Sequence, residues 1–99
     1  MLNITKNIEN GEAIISLEGR LDTVTAPELE AVVKEVVTEV HGLTLDFSGL
    51  EYVSSAGLRV LLSAHKAMST KSGMKIRHVN DSISEIFEVT GFSDFLNVE

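Results

Sequence analysis

The sequence predicts a single α/β domain, a mostly parallel sheet with its helices on one face. Three observations carry that expectation. Apolar positions switch between a period of two and a period near 3.6 along the chain, in the order β-β-α-β-α-β-α-β. After the first two strands, each new strand follows a helix, the connection that parallel neighbours need, and such crossovers are right-handed. In Leu43-Thr44-Leu45-Asp46-Phe47 and Met74-Lys75-Ile76-Arg77-His78, polar and apolar residues alternate. A sheet covered on both sides would be apolar on both, so one face is expected to be wet.

The elements follow in order. Leu2, Ile4 and Ile8 alternate with Asn3, Thr5 and Asn7, and Asn10-Gly11 supplies the φ > 0 pair of a tight hairpin turn. The returning strand is Ala13–Leu17. Thr25 and Glu28 form a Thr-x-x-Glu capping box with Pro27 in the first turn. Leu29, Val32, Val33, Val36, Val37 and Val40 then recur at helical spacing. Valine favours strands, but Lys34-Glu35 breaks the period of two and helix wins. Gly42, Gly73 and Gly91 are each expected just past a helix end. Between them lie strand Leu43–Phe47, helix Ala56–Thr70, strand Met74–Val79, helix Ile83–Val89 and an end strand Phe95–Val98. Leu58, Leu61, Leu62 and Met68 form the core stripe of the second long helix, with His65 on its boundary.

Composition fits one domain over residues 1–99, without linker, repeat or low-complexity tract. A chain of this size buries roughly 60 to 70 % of its unfolded surface. It has no cysteine, hence no disulfide or thiolate chemistry. No apolar run approaches the roughly 20 residues that span a bilayer, and no basic region followed by an apolar core opens the chain. A cytoplasmic protein away from membranes is expected. Fifteen acidic against eight basic residues give a formal net charge of −7, which argues against direct nucleic-acid binding. Lys66, Lys71, Lys75 and Arg77 form the only basic stretch.

The most informative segment is Leu45-Asp46-Phe47-Ser48-Gly49-Leu50-Glu51-Tyr52-Val53-Ser54-Ser55-Ala56-Gly57. It reads as a buried strand, a short loop and a serine pair opening a helix. A helix N-terminus offers unpaired N–H groups and partial positive charge, suited to a serine that carries phosphate. A plain capping role for Ser54 or Ser55 is the alternative. Gly57, costly in a first helical turn, either admits another backbone or a phosphate, or answers a steric need inside the turn. Arg59 lies one turn after Ser55, either solvated or paired with Asp22, Glu51 or a phosphate. Asp22 is a turn former or a functional carboxylate. Asp46 closes a parallel strand and is expected to satisfy loop N–H groups. His41 and His78 lack partners at metal-binding spacing. With no nucleophile–base pair, metal set or Gly-rich phosphate loop, neither enzyme activity nor a cofactor is expected.

These residues resemble a family, the STAS domains of bacterial anti-sigma factor antagonists. There a strand ending in Asp-Phe-Ser or Asp-Leu-Ser leads through an Asp-Ser-Ser-Gly or Asp-Ser-Thr-Gly turn into a helix. Gly19-Arg20-Leu21-Asp22 resembles the family's Gly-Glu-Leu-Asp turn, and Val89-Thr90-Gly91-Phe92 its closing turn. The family's phosphoacceptor, the first hydroxyl residue after the Asp, falls on Ser55. Ser54 stands in place of that Asp, and Ala56 in place of the second hydroxyl residue. The resemblance implies a winding β-α superhelix with helices on one side. It also implies a switch: the unmodified chain docks on an anti-sigma factor, a serine kinase of the histidine-kinase-like ATPase fold, and frees a sigma factor. Phosphorylation of Ser55 weakens the complex, and a phosphatase resets it. Docking contacts are implied at Asp22, Thr23, Ser54, Ala56, Gly57 and Arg59. Two other classes are weighed: a non-switching STAS scaffold subunit of a transporter or signalling complex, and an aspartyl-phosphate receiver using Asp46.

Overall fold

A computed structural model describes residues 2–99. Strands β1 (Leu2–Glu9) and β2 (Glu12–Leu21) form an antiparallel hairpin. Its turn is Asn10-Gly11, both at positive φ (53° and 78°), as the Asn-Gly pair predicts. Helix α1 (Ala26–Val37) leads to β3 (Gly42–Val53), α2 (Ser55–Met68) to β4 (Met74–Arg77), and α3 (Asp81–Thr90) to β5 (Asn97–Val98). The sheet order is β1-β2-β3-β4-β5, and every pair after the first is parallel. The expected order of elements and the mostly parallel sheet are both present.

One alternating set of side chains builds the core. Ala13, Ile15 and Leu17 of β2, Leu43, Leu45 and Phe47 of β3, and Met74 and Ile76 of β4 are buried with Leu29, Val33, Val36, Leu58, Leu61, Met68, Ile83 and Phe87 of the helices. The other set, including Ile14, Ser16, Thr44, Asp46, Lys75 and Arg77, is half-buried or exposed. The helices therefore cover one face only. His65 is half-buried, its ring 5.0 Å from that of Phe95.

Several boundaries differ from the expectation. The strands expected to end at Leu17 and Phe47 continue to Leu21 and Val53. The segment Ser16–Leu21 of β2 has six residues and the segment Asp46–Val53 of β3 that faces it has eight. The excess is taken up in two register shifts, so the expected loop after Phe47 is bulged strand. Bulges break the period of two, which is why the alternation faded there.

The capping box does not form. Thr25 occupies the cap position of α1, but its hydroxyl turns back to donate to the Arg20 carbonyl (2.8 Å). Gly42 is the first residue of β3, not a helix terminator; α1 ends at Thr38. The Lys71 ammonium instead donates to the carbonyls of Val37 and Val40, a cation placed at a helix C-terminus. Gly73 is left-handed (φ 96°) but lies beyond the α2 cap at Ser69, in the turn into β4. Gly91 ends α3 in the left-handed conformation, as expected. The final strand shortens to two residues because Phe92–Asp94 form a 3₁₀ turn, and β4 stops at Arg77 because His78 is at φ 60°.

Candidate functional site

The ends of β2 and β3 and the starts of α1 and α2 meet at one edge of the molecule. The Ser54 N–H donates to the Leu21 carbonyl (2.8 Å), which fixes the serine pair beside the loop Asp22–Thr25. That loop is held by its own polar groups. Asp22 Oδ1 accepts from the N–H of Val24 (3.0 Å) and of Thr25 (3.1 Å), and the Asp22 N–H donates to Thr25 Oγ1 (2.9 Å). The Thr25 N–H holds the Asp22 carboxyl below its ordinary value, against some desolvation, with help from the Thr25 hydroxyl and the Val24 N–H. Asp22 thus stays ionised and builds the turn, which leaves Thr23 and Val24 projecting outward.

The serine pair divides its work. Ser54, in extended conformation (φ −91°, ψ 175°), caps α2: its Oγ accepts from the Gly57 N–H (3.3 Å). Ser55 is the first residue of the helix and is exposed, and among the described residues its hydroxyl has no hydrogen-bond partner. It stands at the positive end of a 14-residue helix with no His or carboxylate bonded to it. Such a hydroxyl is not activated as a nucleophile, and it is free to receive a group delivered by another protein.

Gly57 is buried. A Cβ there would lie 2.7 Å from Leu21 Cγ and 3.1 Å from the Leu21 carbonyl oxygen. Of the two readings of this glycine, the geometry fits the close approach of another backbone, that of Leu21 at the end of β2, rather than a steric need inside the turn. Arg59 is exposed and pairs with neither Asp22 nor Glu51. It lines a shallow cleft of about 160 Å³ between α1 and α2 with Thr23, Ala26, Pro27, Glu30, Ala56 and Val60. Asp22, Thr23, Ser54, Ser55, Ala56 and Arg59 are therefore gathered at this edge, with Gly57 beneath them.

Two neighbours escaped sequence reasoning. Val24 is 81 % exposed at the tip of the Asp22 loop; a single valine between polar residues carries no periodic signal. The Arg20 guanidinium lies 4.5 Å from the centre of the Tyr52 ring, a pairing that needs the β2–β3 register to be known.

Asp46 lies elsewhere. It was expected at a strand end; β3 instead runs on past it, and its carboxylate sits on the open sheet face. It accepts from the Ser48 N–H (3.0 Å) and from His78 Nδ1 (3.0 Å), with Arg77 Nε 3.5 Å away. An ionised carboxylate only accepts, so His78 Nδ1 carries the proton. Burial opposes ionisation of Asp46, but the bonds from His78 and Ser48 outweigh it and lower its pKa to about 2.

The fold is that of a small β-α domain with a mostly parallel sheet covered by helices on one face, and comparison with known proteins places it. Residues 4–97 match the family described as Mlab, STAS domain. The anti-sigma-F factor antagonist RsfB of Mycobacterium tuberculosis is 34 % identical over 77 residues, which cover 77 % of this chain and 60 % of RsfB. Among solved structures, an anti-sigma factor antagonist from Mycobacterium paratuberculosis superposes with a TM-score of 0.90 at 23 % identity, covering 99 % of this chain and 85 % of that one. The Bacillus cell fate determinant SpoIIAA in its phosphorylated form superposes with a TM-score of 0.77 at 15 % identity, covering 98 % and 91 %. The chain belongs to the STAS-domain anti-sigma factor antagonist family.

Proposed function

We propose that this chain is an anti-sigma factor antagonist switched by phosphorylation of Ser55. The observation that carries the reading is the placement of Ser55: exposed, unbonded and first in α2, while its neighbour Ser54 performs the capping. The likeness to RsfB and to SpoIIAA, whose structure is known in a phosphorylated form, supports it. Unmodified, the edge formed by Asp22, Thr23, Ser54, Ala56 and Arg59, with Gly57 beneath, docks on an anti-sigma factor that is also a serine kinase. The sigma factor is thereby released. The kinase transfers phosphate to Ser55, adding about −1.5 to −2 charge at the centre of the docking surface. Partner groups that were buried against a hydroxyl then face a dianion, a change that costs several kcal/mol in complexes of this type. A phosphatase restores the hydroxyl. In this reading the chain works in a bacterial cytoplasm, catalyses nothing and touches no DNA.

The test has two arms. Unmodified chain, Ser55→Ala and Ser55→Asp are titrated calorimetrically against each histidine-kinase-like anti-sigma factor of the source genome, expressed singly. Phosphopeptide mapping follows incubation with ATP. We expect one factor to bind the unmodified chain and Ser55→Ala, Ser55→Asp to bind it at least about tenfold more weakly, and phosphate to appear on Ser55 alone. Tight binding indifferent to residue 55 would instead establish a non-switching scaffold.

A further inference from the structure

In a chain of net charge −7, most of the eight Lys and Arg residues have a partner. Lys6 meets Glu35, Lys34 meets Glu30, Lys75 meets Glu99 and Arg77 meets Asp46. Lys71 caps the carbonyls at the end of α1. Among the described residues, Arg20, Arg59 and Lys66 are left without a carboxylate within ion-pair distance. Their positions are not scattered. Arg20 lies near the end of β2, two residues before Asp22 and on the open sheet face with Tyr52, and Arg59 follows Ser55 by one helical turn, so the two reach the edge that holds the serine from the sheet side and from the helix side. Lys66 is in the last turn of α2, at the far end of that helix.

Both arginines are poised to meet a flat acceptor. Arg20 lies over the Tyr52 ring, 4.5 Å from its centre, a cation–π contact that uses none of the guanidinium's N–H donors in a hydrogen bond to a carboxylate. Arg59 stands over the cleft whose apolar walls are Ala26, Pro27 and Val60. The carboxylates around them are largely engaged: Asp22 accepts loop N–H groups, and Glu30, which shares the cleft, faces Lys34 at 3.9 Å. Glu51, beside Tyr52, is exposed. Forked cations left unpaired on an acidic protein, on both sides of one site, complement a partner that supplies carboxylates there.

We infer that Arg20 and Arg59 are the specificity-determining contacts of the docking edge, selecting an anti-sigma factor that presents a carboxylate to each. This rests on the antagonist reading, and the experiment separates the two. Arg20→Glu, Arg59→Glu and Lys66→Glu change the net charge equally, so any general charge effect is common to all three. Each is titrated against the anti-sigma factor that binds in the panel above, with circular dichroism melts to show that it is folded. The expected result is a loss of at least about tenfold for each arginine variant and a change within about twofold for Lys66→Glu. Replacing the facing carboxylate of the partner by arginine is expected to restore binding to the matching glutamate variant. Equal losses in all three variants, or arginine variants that bind like the parent, would overturn the inference and leave the antagonist reading intact. Failure of the parent chain to bind any factor in the panel would overturn both.

Discussion

At the scale of the residue, the least expected arrangement is the Asp46–His78 pair on the open sheet face. Its ionisation couples to folding with a definite sign. The Asp46 pKa is lowered in the folded chain, from 3.8 to about 2. The stability it contributes is therefore fully present above the unfolded value and lost as pH falls through the folded one. Asp46 itself is only 13 % exposed, but His78 is well solvated, so the contribution is about 1 to 2 kcal/mol. Asp46→Asn should remove it, so that the variant and the parent converge in stability between pH 4 and pH 2, roughly the window of the two pKa values. Urea titrations across that window measure the convergence; a stability gap unchanged at pH 2 would show that the pair carries no such linkage. The sequence led only to the expectation that Asp46 bonds loop N–H groups; the N–H it accepts, that of Ser48, belongs instead to the bulged part of β3. The partner His78 is 32 residues away, and it reaches Asp46 from a left-handed backbone position that the sequence does not signal.

At the scale of the element, packing against Leu21 decides how α2 sits. Alanine is the better helix former by about 1 kcal/mol, yet at position 57 its methyl would press on Leu21 Cγ and on the backbone oxygen behind it. Overpacking of that kind costs about 1 to 3 kcal/mol. Gly57→Ala should therefore destabilise the fold by up to about 2 kcal/mol in urea unfolding, the overpacking less the helix-propensity gain. A gain in stability would mean that the glycine serves something other than the approach of helix to strand. Helix existence was legible because apolar spacing survives any tertiary context, as in Leu29, Val33 and Val36, all buried. Helix ends were not. The cation that closes α1 comes from Lys71, 34 residues after Val37, and the groups that open it come from the Asp22 loop rather than from Glu28. The site was legible to the extent that its residues are contiguous in sequence, Ser54 to Gly57. Asp22 and Thr23 joined through the motif resemblance, Val24 did not, and their loop is placed by the Leu21–Ser54 bond.

At the scale of the whole molecule, one-sided covering of the sheet sets where the fold is firm. β2 and β3 have neighbours on both edges, and Ile15 and Leu45 are fully buried between them and the helices. β5 pairs at only two positions, Lys75 with Asn97 and Ile76 with Val98, and its residues are exposed. Native-state amide exchange should accordingly be slowest at Ile15 and Leu45, near the global unfolding limit, and several orders of magnitude faster at the chain's end. Protection of Val98 equal to that of Leu45 would contradict the picture of a firm centre with a loosely joined last strand.

The two bulges of β3 bear on how the serine pair is mounted. Eight residues of β3 matched to six of β2 carry slack, and the slack lies directly upstream of Ser54 and Ser55. Asn80 ties it down: its side-chain amide donates to the Leu50 carbonyl while its oxygen caps α3. The serine is thus mounted on the end of a coiled lead whose length is set by two irregular turns of backbone and pinned from a different helix. Deleting Glu51, the extra residue between the Leu50–Gly19 and Tyr52–Arg20 pairs, would close the second bulge and leave in place the Val53–Leu21 pairing that seats the serine. The placement of Ser55 is in this sense set by the strand pairing and the Leu21–Ser54 bond, not by the helix that carries it alone.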